Sequence, residues 1–176
     1  MSALDITHIV AVTCTDAGHP GYDLLVAQKL GLRENVDRTL LHGVGCAGGL
    51  AALRTAANLA YGAVTRRSPA RILVFACELC SIHIRCDINH TILNPDDTRI
   101  GSALFSDGAA AVILSNGLAP EAESKSIFTL LDCGGAVIPD SFPYMAFTPD
   151  PLGKLHSFQP NYVTSVNISL QASELH

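Results

Sequence analysis

Apolar residues in the first half of the chain form short runs separated by glycine, proline and polar residues. Ile6 to Cys14 is rich in isoleucine, valine and threonine, which predicts a strand. Tyr22 to Leu30 has apolar residues at helical spacing and stops at Gly31, which predicts a helix and its terminator. The continuous apolar run from Arg71 to Cys77 predicts a central strand covered on both faces.

The remaining elements extend this alternation of strands and helices. Thr39 to Val44 predicts another strand, and the stretch from Leu50 to Val64 predicts a helix that is buried because it carries so little charge. Two further strands are predicted at Ala109 to Leu114 and at Ile127 to Leu131. The order favours an α/β fold, a sheet with helices on both faces. The predicted apolar face of the second helix comprises Leu50, Leu53, Ala57, Ala60 and Val64.

The pattern changes near Pro149-Asp150-Pro151. From Lys154 to His176 the chain is polar, rich in serine and asparagine, and without clear periodicity. We therefore predict a domain over residues 1–153 followed by a tail over residues 154–176.

The composition narrows the classes of function. Of the 176 residues, 48% are hydrophobic and 15% are charged, with a mean hydropathy of +0.31, so burial on both sheet faces or against another subunit is expected. The net charge of −5, with no basic run longer than Arg66-Arg67, argues against nucleic-acid binding. Neither a signal peptide nor a membrane-spanning stretch is visible, and six irregularly spaced cysteines then predict reduced thiols in a cytoplasmic protein.

Cys46 is the candidate reactive residue. It lies in the glycine-rich segment from Gly43 to Gly49, between the predicted strand and the start of the predicted helix. The positive end of a helix dipole stabilises a thiolate, and glycines permit a sharp turn with room for a substrate. By itself the motif fits equally well with a cysteine that acts as a small buried apolar residue.

A second group of thiols has a spacing that suggests a metal site. Cys77, Cys80, His83 and Cys86 are three residues apart. However, an odd spacing at a strand end places side chains on opposite faces, and zinc sites normally pair ligands across a turn. We therefore predict no metal; a redox or metal protein remains a weaker hypothesis.

Two longer blocks carry a resemblance to a known family. The sequence from about Ile6 to about Gly153 resembles the chalcone and stilbene synthase-like (type III) polyketide synthases of the thiolase superfamily, and looks closest to their fungal and bacterial branches. The matching residues are Thr13-Cys14-Thr15, Pro20-Gly21, Gly45-Cys46-Ala47-Gly48-Gly49, Glu78 and Gly101-Ser102-Ala103-Leu104-Phe105-Ser106-Asp107-Gly108-Ala109-Ala110-Ala111.

The resemblance implies a thiolase-like fold, of which this chain is an incomplete N-terminal half, and a transferase activity. Cys46 would be the nucleophile that accepts an acyl group from a CoA thioester and holds it while malonyl-CoA is decarboxylated and condensed onto it. Acyl-CoA and malonyl-CoA would be substrates, no other cofactor is implied, and the protein would be a homodimer.

The same resemblance assigns the substrate-binding residues. Phe105 matches a gatekeeping phenylalanine, although a plain core phenylalanine is the alternative. Cys80 matches a cavity-lining position, and His83 lies near the same wall. His19 matches a residue that reaches across the dimer, the alternative being simple exposure in a loop. Asp107-Gly108 is interpreted as a structural turn.

The family's mechanism also uses a histidine and an asparagine, which stabilise the enolate and the thioester oxyanion. Both lie far downstream in the family, and neither His156 nor His176 matches the histidine's context. The family's basic N-terminal segment is not matched either. We therefore expect a truncated chain that is inactive alone. A non-catalytic fragment or dimerisation module and a ketoacyl synthase-like condensing enzyme are the alternatives.

Overall fold

The computed structural model describes residues 2–97, 101–118, 126–140, 145–151, 153–158 and 172–173. The chain divides into two units. The first comprises Met1–Cys77, Ala109–Gly135 and Ser169–His176, and the second comprises Glu78–Gly108 and Ala136–Ile168. Within the described residues, no helix has the length and apolar character needed to cross a membrane.

A four-stranded sheet organises the first unit. Its strands are β1 (His8–Val12), β2 (Asp37–Leu41), β3 (Arg71–Glu78) and β4 (Gly108–Ser115), in the order β2-β1-β3-β4. Strand β1 runs parallel to both β2 and β3, and its last residue, Val12, is opposite Leu41 and Ala76, beyond which β3 continues to Glu78. Chain segments that follow these strands therefore emerge at one edge of the sheet.

Successive residues of β1 supply two different cores, as the period of two in a strand requires. Val10 and Val12 pack on one face with helix α2 (Gly48–Thr65), whereas Ile9 and Ala11 pack on the other with helix α1 (Tyr22–Lys29). The prediction of an α/β sheet with helices on both faces is confirmed.

Helix α1 begins and ends as the sequence predicts. Its start is fixed by Tyr22, whose hydroxyl donates a hydrogen bond of 2.8 Å to the Val12 carbonyl and whose ring contacts Phe75 edge to face. Its end is followed by Gly31 at φ +61°, a conformation that glycine adopts without strain. A pair between Arg38 and the buried Asp23, 2.6 Å apart, joins α1 to β2.

Helix α2 buries a different face from the predicted one. Of the predicted face only Ala60 is buried; Leu50, Leu53 and Ala57 are half-buried and Val64 is exposed. The physical reason is that small side chains let the helix backbone approach the sheet closely, which leucine would prevent. The buried residues of α2 are Gly48, Ala52, Ala56, Ala60 and Ala63.

The second unit contains elements that the sequence pattern does not predict. Helix α3 (Ile84–Leu93), the short helix α4 (Gly101–Leu104) and the antiparallel hairpin of β6 (Met145–Asp150) and β7 (Gly153–Phe158) all belong to it. Helix α3 carries many β-branched residues, which favour strands as readily as helices.

Two predictions near the carboxyl end differ from what the structure describes. The strand predicted from Ile127 to Leu131 is reduced to β5 (Thr129–Leu130), which pairs antiparallel with β8 (Ala172–Ser173) in the first unit. The predicted boundary after residue 153 falls inside the β6–β7 hairpin. Most of the predicted tail, including His176, lies outside the described residues, and its independence stays a prediction.

Candidate functional site

Cys46 lies at the carboxyl edge of the sheet, in a segment of residues 42–47 that we call the Cys46 turn. The turn leaves β2 at His42 and passes through a short 3₁₀ helix, Gly45–Ala47, into α2. Cys46 is exposed, and Ala47 is the N-cap of the 18-residue helix α2. Cys46 therefore directly precedes the amino-terminal end of α2, the end at which a helix dipole carries its partial positive charge.

Two glycines inside the Cys46 turn and one directly after it give the turn its shape. Gly43 and Gly45 adopt φ values of +70° and +72°, a region in which other residues are strained, and both face open space. Gly48 is needed for a different reason: a Cβ there would lie 2.7 Å from Cγ2 of the buried Val12. The first turn of α2 therefore packs directly on β1, which anchors one end of the turn.

The loop after β1 reaches the same edge of the sheet and is fixed by hydrogen bonds. The buried Thr13 donates its backbone N–H to the Leu41 carbonyl at 3.2 Å. Its hydroxyl accepts the backbone N–H groups of Thr15 and Asp16, each at 3.3 Å. This network holds the segment that contains Cys14 beside the end of β2, the strand that leads into the Cys46 turn.

Two other side-chain groups border this region. The Cys133 thiol donates to the Leu50 carbonyl, in the first turn of α2, at 3.7 Å. The rings of His19 and His42 have centroids 6.4 Å apart, and both side chains are exposed. The predicted contact of His19 with a second copy of the chain stays a prediction.

In the second unit, Cys80 and His83 are the first and last residues of a short 3₁₀ helix, Cys80–His83, that leads into α3. We call residues 79–83 the Cys80 turn. Cys80 is half-buried, whereas His83 is 3% exposed. Their predicted substrate-binding roles stay predictions.

Phe105 lies in the same unit, directly after α4. Its backbone N–H donates to the Gly101 carbonyl at 2.9 Å, which continues the helical hydrogen bonding by one residue. Its half-buried ring is 6.1 Å from the ring of Phe147 on β6, measured between centroids, at an angle of 44°. This pairing of two rings is compatible both with the predicted gate and with a core position.

Asp107 has a specific structural role that the sequence did not predict. Its carboxylate accepts the backbone N–H of Ser81 at 2.8 Å and the Ser81 hydroxyl at 2.7 Å. The backbone N–H of Ser81, with its hydroxyl and the Cys80 N–H as further donors, holds the pKa of Asp107 below its usual range. No local pattern signals a contact between residues 26 positions apart.

The structure thus places the predicted site residues in two groups. Cys80, His83 and Phe105 belong to the second unit, and Cys46 belongs to the first. Across the part of the chain that the structure describes, no group of three or more His, Cys, Asp or Glu side chains could hold a metal ion.

Comparisons with known proteins agree with the resemblance. Residues 2–118 match the sequence profile of the N-terminal domain of chalcone and stilbene synthases. A relative from Penicillium soppii, the type III polyketide synthase pspB, is 52% identical over 153 residues, covering 85% of this chain and 38% of that protein. The chain therefore spans well under half the length of this curated relative.

Solved structures give the same result. A fungal type III polyketide synthase, ORAS, superposes with a TM-score of 0.85 at 48% identity, covering 91% of this chain and 42% of that one. CsyB complexed with CoA-SH gives a TM-score of 0.86 at 36% identity, covering 91% and 43%. These matches confirm the predicted thiolase-like fold and the likeness to the fungal branch, and they favour polyketide synthases over ketoacyl synthases. The chain belongs to the chalcone and stilbene synthase family of type III polyketide synthases, within whose N-terminal domain residues 2–118 fall.

Proposed function

We propose that this chain carries the acyl-accepting cysteine of a type III polyketide synthase, and that Cys46 is that residue. The observation that supports the proposal is the position of Cys46, an exposed thiol in a glycine turn at the amino terminus of α2. A nucleophile for acyl transfer needs access to the thioester carbonyl, and an exposed thiol beside a helix amino terminus, where helix dipoles favour anionic groups, suits that role.

In the proposed reaction, the Cys46 thiolate attacks the carbonyl carbon of an acyl-CoA. The tetrahedral intermediate collapses with loss of the CoA thiolate, which leaves the acyl group as a thioester on Cys46. Decarboxylation of malonyl-CoA would then provide the carbon nucleophile that extends the chain. In this family the extension also uses a histidine and an asparagine, which no residue of this sequence matches. The proposal for Cys46 therefore concerns the acylation step.

Cys80, His83 and Phe105 are proposed to form the wall of the substrate-binding site. Cys80 and Phe105 are half-buried, so part of each side chain is accessible to a ligand. The Phe105 ring packs near the ring of Phe147. His83 is buried and would act by shaping the wall that carries Cys80. An apolar gate and a thiol-lined wall suit an acyl chain better than a charged substrate.

CoA thioesters are the proposed substrates, in keeping with the CoA-SH complex of the related CsyB. No other cofactor is proposed. A homodimer and a cytoplasmic location belong to the same proposal; they are based on the family resemblance and on the composition, respectively.

Incubation of the purified chain with octanoyl-CoA, followed by peptide mass spectrometry, tests the proposal. We expect an octanoyl thioester on Cys46 with stoichiometric release of CoA, its loss in Cys46→Ala, and its retention in Cys133→Ala. Adding malonyl-CoA should give no pyrone or resorcinol product. An unmodified Cys46, with CoA-dependent labelling elsewhere or nowhere, would overturn the proposal.

A dimerisation module is the second candidate, because several apolar side chains are exposed. Val112 and Ile113 on β4 and Ile88 and Ile92 on α3 are between 44% and 71% exposed. Such surfaces favour association or low solubility. Analytical ultracentrifugation distinguishes the cases: a stable monomer that is acylated on Cys46 would remove this candidate, whereas a dimer that is never acylated would support it.

A further inference from the structure

The Cys80 turn and the Phe105 segment are joined by one carboxylate. Asp107 is two residues after Phe105, and Ser81 is one residue after Cys80. Both oxygens of Asp107 are used, Oδ1 by the Ser81 backbone N–H at 2.8 Å and Oδ2 by the Ser81 hydroxyl at 2.7 Å. Such two-point contacts to a charged acceptor restrict both distance and orientation.

Through the neighbouring backbone, this contact also restrains the positions of Cys80 and Phe105. Ser81 belongs to a four-residue 3₁₀ helix that begins at Cys80, so a shift of Ser81 moves Cys80 with it. On the other side, Phe105 is fixed by its hydrogen bond to Gly101 and by the Phe147 ring. Asp107 therefore connects an anchored segment to a short turn.

We propose that Ser81 and Asp107 form a positioning pair that fixes Cys80 relative to Phe105 and thereby selects the size of the acyl group that is accepted. The selection part depends on the proposed function of Cys80 and Phe105 in substrate binding. In this proposal Ser81 and Asp107 act through their neighbours Cys80 and Phe105 and do not react with the substrate. Asp107 is the charged member of the pair, and the hydrogen bonds from Ser81 hold the pKa of its carboxyl below the usual range.

The positioning role is tested by the rate at which N-ethylmaleimide alkylates Cys80, resolved by peptide mass spectrometry on the full 176-residue chain. Asp107→Asn and Ser81→Ala should each raise the rate by about two- to tenfold, the range that corresponds to a net hydrogen-bond energy. Ser81→Ala should have the smaller effect because its backbone N–H still donates. The double variant should not exceed Asp107→Asn, and Ser81→Thr, which keeps the hydroxyl, should restore the wild-type rate.

Asp96→Asn is the matched control, since it removes one exposed carboxylate from the same unit and leaves the pair intact. The alkylation rate of Cys133, in the first unit, reports general unfolding and should not change. A Cys80 rate in Asp107→Asn that equals the rate in Asp96→Asn overturns the positioning role. An equal rise at Cys80 and Cys133 also overturns it, because the variant is then merely unfolded.

The selection role is tested by acylation of Cys46 with acetyl-CoA and dodecanoyl-CoA. The ratio of the two rates should differ between wild type and Asp107→Asn by about threefold or more, and should be unchanged in Asp96→Asn. An unchanged ratio overturns the selection role. If Cys46 is acylated in no variant, the proposed function fails, and the Cys80 rates still decide the positioning role.

Discussion

The Cys46 turn and the Cys80 turn have the same local architecture but are held by different forces. Each follows a strand, contains a short 3₁₀ helix and leads into an α-helix, with one cysteine in the 3₁₀ helix. The Cys46 turn is shaped by glycine conformations and by direct packing of α2 on β1. The Cys80 turn is fixed by hydrogen bonds to Asp107, 26 positions away. Substitutions should therefore damage the first turn through sterics and the second through lost donors and acceptors.

The steric clash expected at Gly48 should have the largest effect on the free energy of unfolding. Gly48→Ala would place a Cβ 2.7 Å from Val12 Cγ2, so we expect the free energy of unfolding to fall by about 1–3 kcal/mol. Gly49→Ala, at an exposed helical position with open space around its Cβ, should raise it by about 0.5–1 kcal/mol. Urea unfolding measures both. A stabilising Gly48→Ala would show that α2 is not packed tightly on β1.

The side-chain hydrogen bonds of Asn116, in the first unit, test how much the loss of donors and acceptors destabilises the chain. Asn116 accepts the Ala70 backbone N–H at 3.0 Å and donates to the Ser68 carbonyl at 2.8 Å, which joins the end of β4 to the start of β3. Asn116→Ala should lower the free energy of unfolding by about 1–2 kcal/mol.

The control is Asn58→Ala, at an exposed position on α2, where we expect a change within about 0.5 kcal/mol. Equal effects of the two alanine variants would mean that the long-range hydrogen bonds of Asn116 add no net stability.

Substitution of Gly45, which has a positive φ, should have a smaller effect on the free energy of unfolding, and this effect is specific to the Cys46 turn. Gly45→Ala should cost about 1 kcal/mol, because an L-residue is strained at φ +72°, although its Cβ would face open space. Gly62→Ala, in the interior of α2, should instead be stabilising. Thermal unfolding of the two variants against wild type gives the comparison; a neutral Gly45→Ala would indicate that the turn adopts another conformation.

The smallest predicted effect is a pH dependence of the free energy of unfolding, caused by His8 at the amino-terminal end of β1. Burial lowers the pKa of His8 below 6.5 despite the opposing carboxylate of Asp37 at 3.6 Å. Because the unfolded chain then binds the proton more tightly, this contribution to stability is complete above pH 6.5 and is lost as the pH falls through the folded-state pKa. Urea midpoints between pH 5 and 7.5 should decline towards acid in wild type.

His8→Gln should remove that part of the decline, whereas His19→Gln, at an exposed histidine, should keep it. Identical pH profiles for wild type and His8→Gln would contradict the inferred burial effect.

Features set by local sequence were predictable, and features set by distant contacts were not. The end of α1 just before Gly31 and the presence of a strand before Cys46 follow from residue type and spacing, although that strand is Asp37–Leu41 and not Thr39 to Val44 as predicted. Helix α3 was missed because Ile84, Ile88 and Ile92 have a helical spacing but are β-branched and exposed rather than buried.

The same distinction applies to the buried face of α2 and to the candidate site. Ala52 and Ala56 are buried in place of the leucines because of how closely the helix approaches the sheet, which a hydrophobic pattern does not encode. Cys46 was predicted as the nucleophile from its glycine turn and the family blocks. The Ser81–Asp107 pair has no local signal, so only the folded chain shows it.

The central claim, that Cys46 is the acyl-accepting residue, is tested most directly by comparing thioester occupancy at each cysteine after a short incubation with acyl-CoA. Peptide mass spectrometry at several times would give the initial rates for Cys46, Cys80 and Cys133 in one sample. We predict that Cys46 is acylated at least about tenfold faster than the other two, and that Cys46→Ala abolishes the fast phase without raising the other rates. Comparable rates at all three cysteines, or a fast phase that survives Cys46→Ala, would contradict the claim.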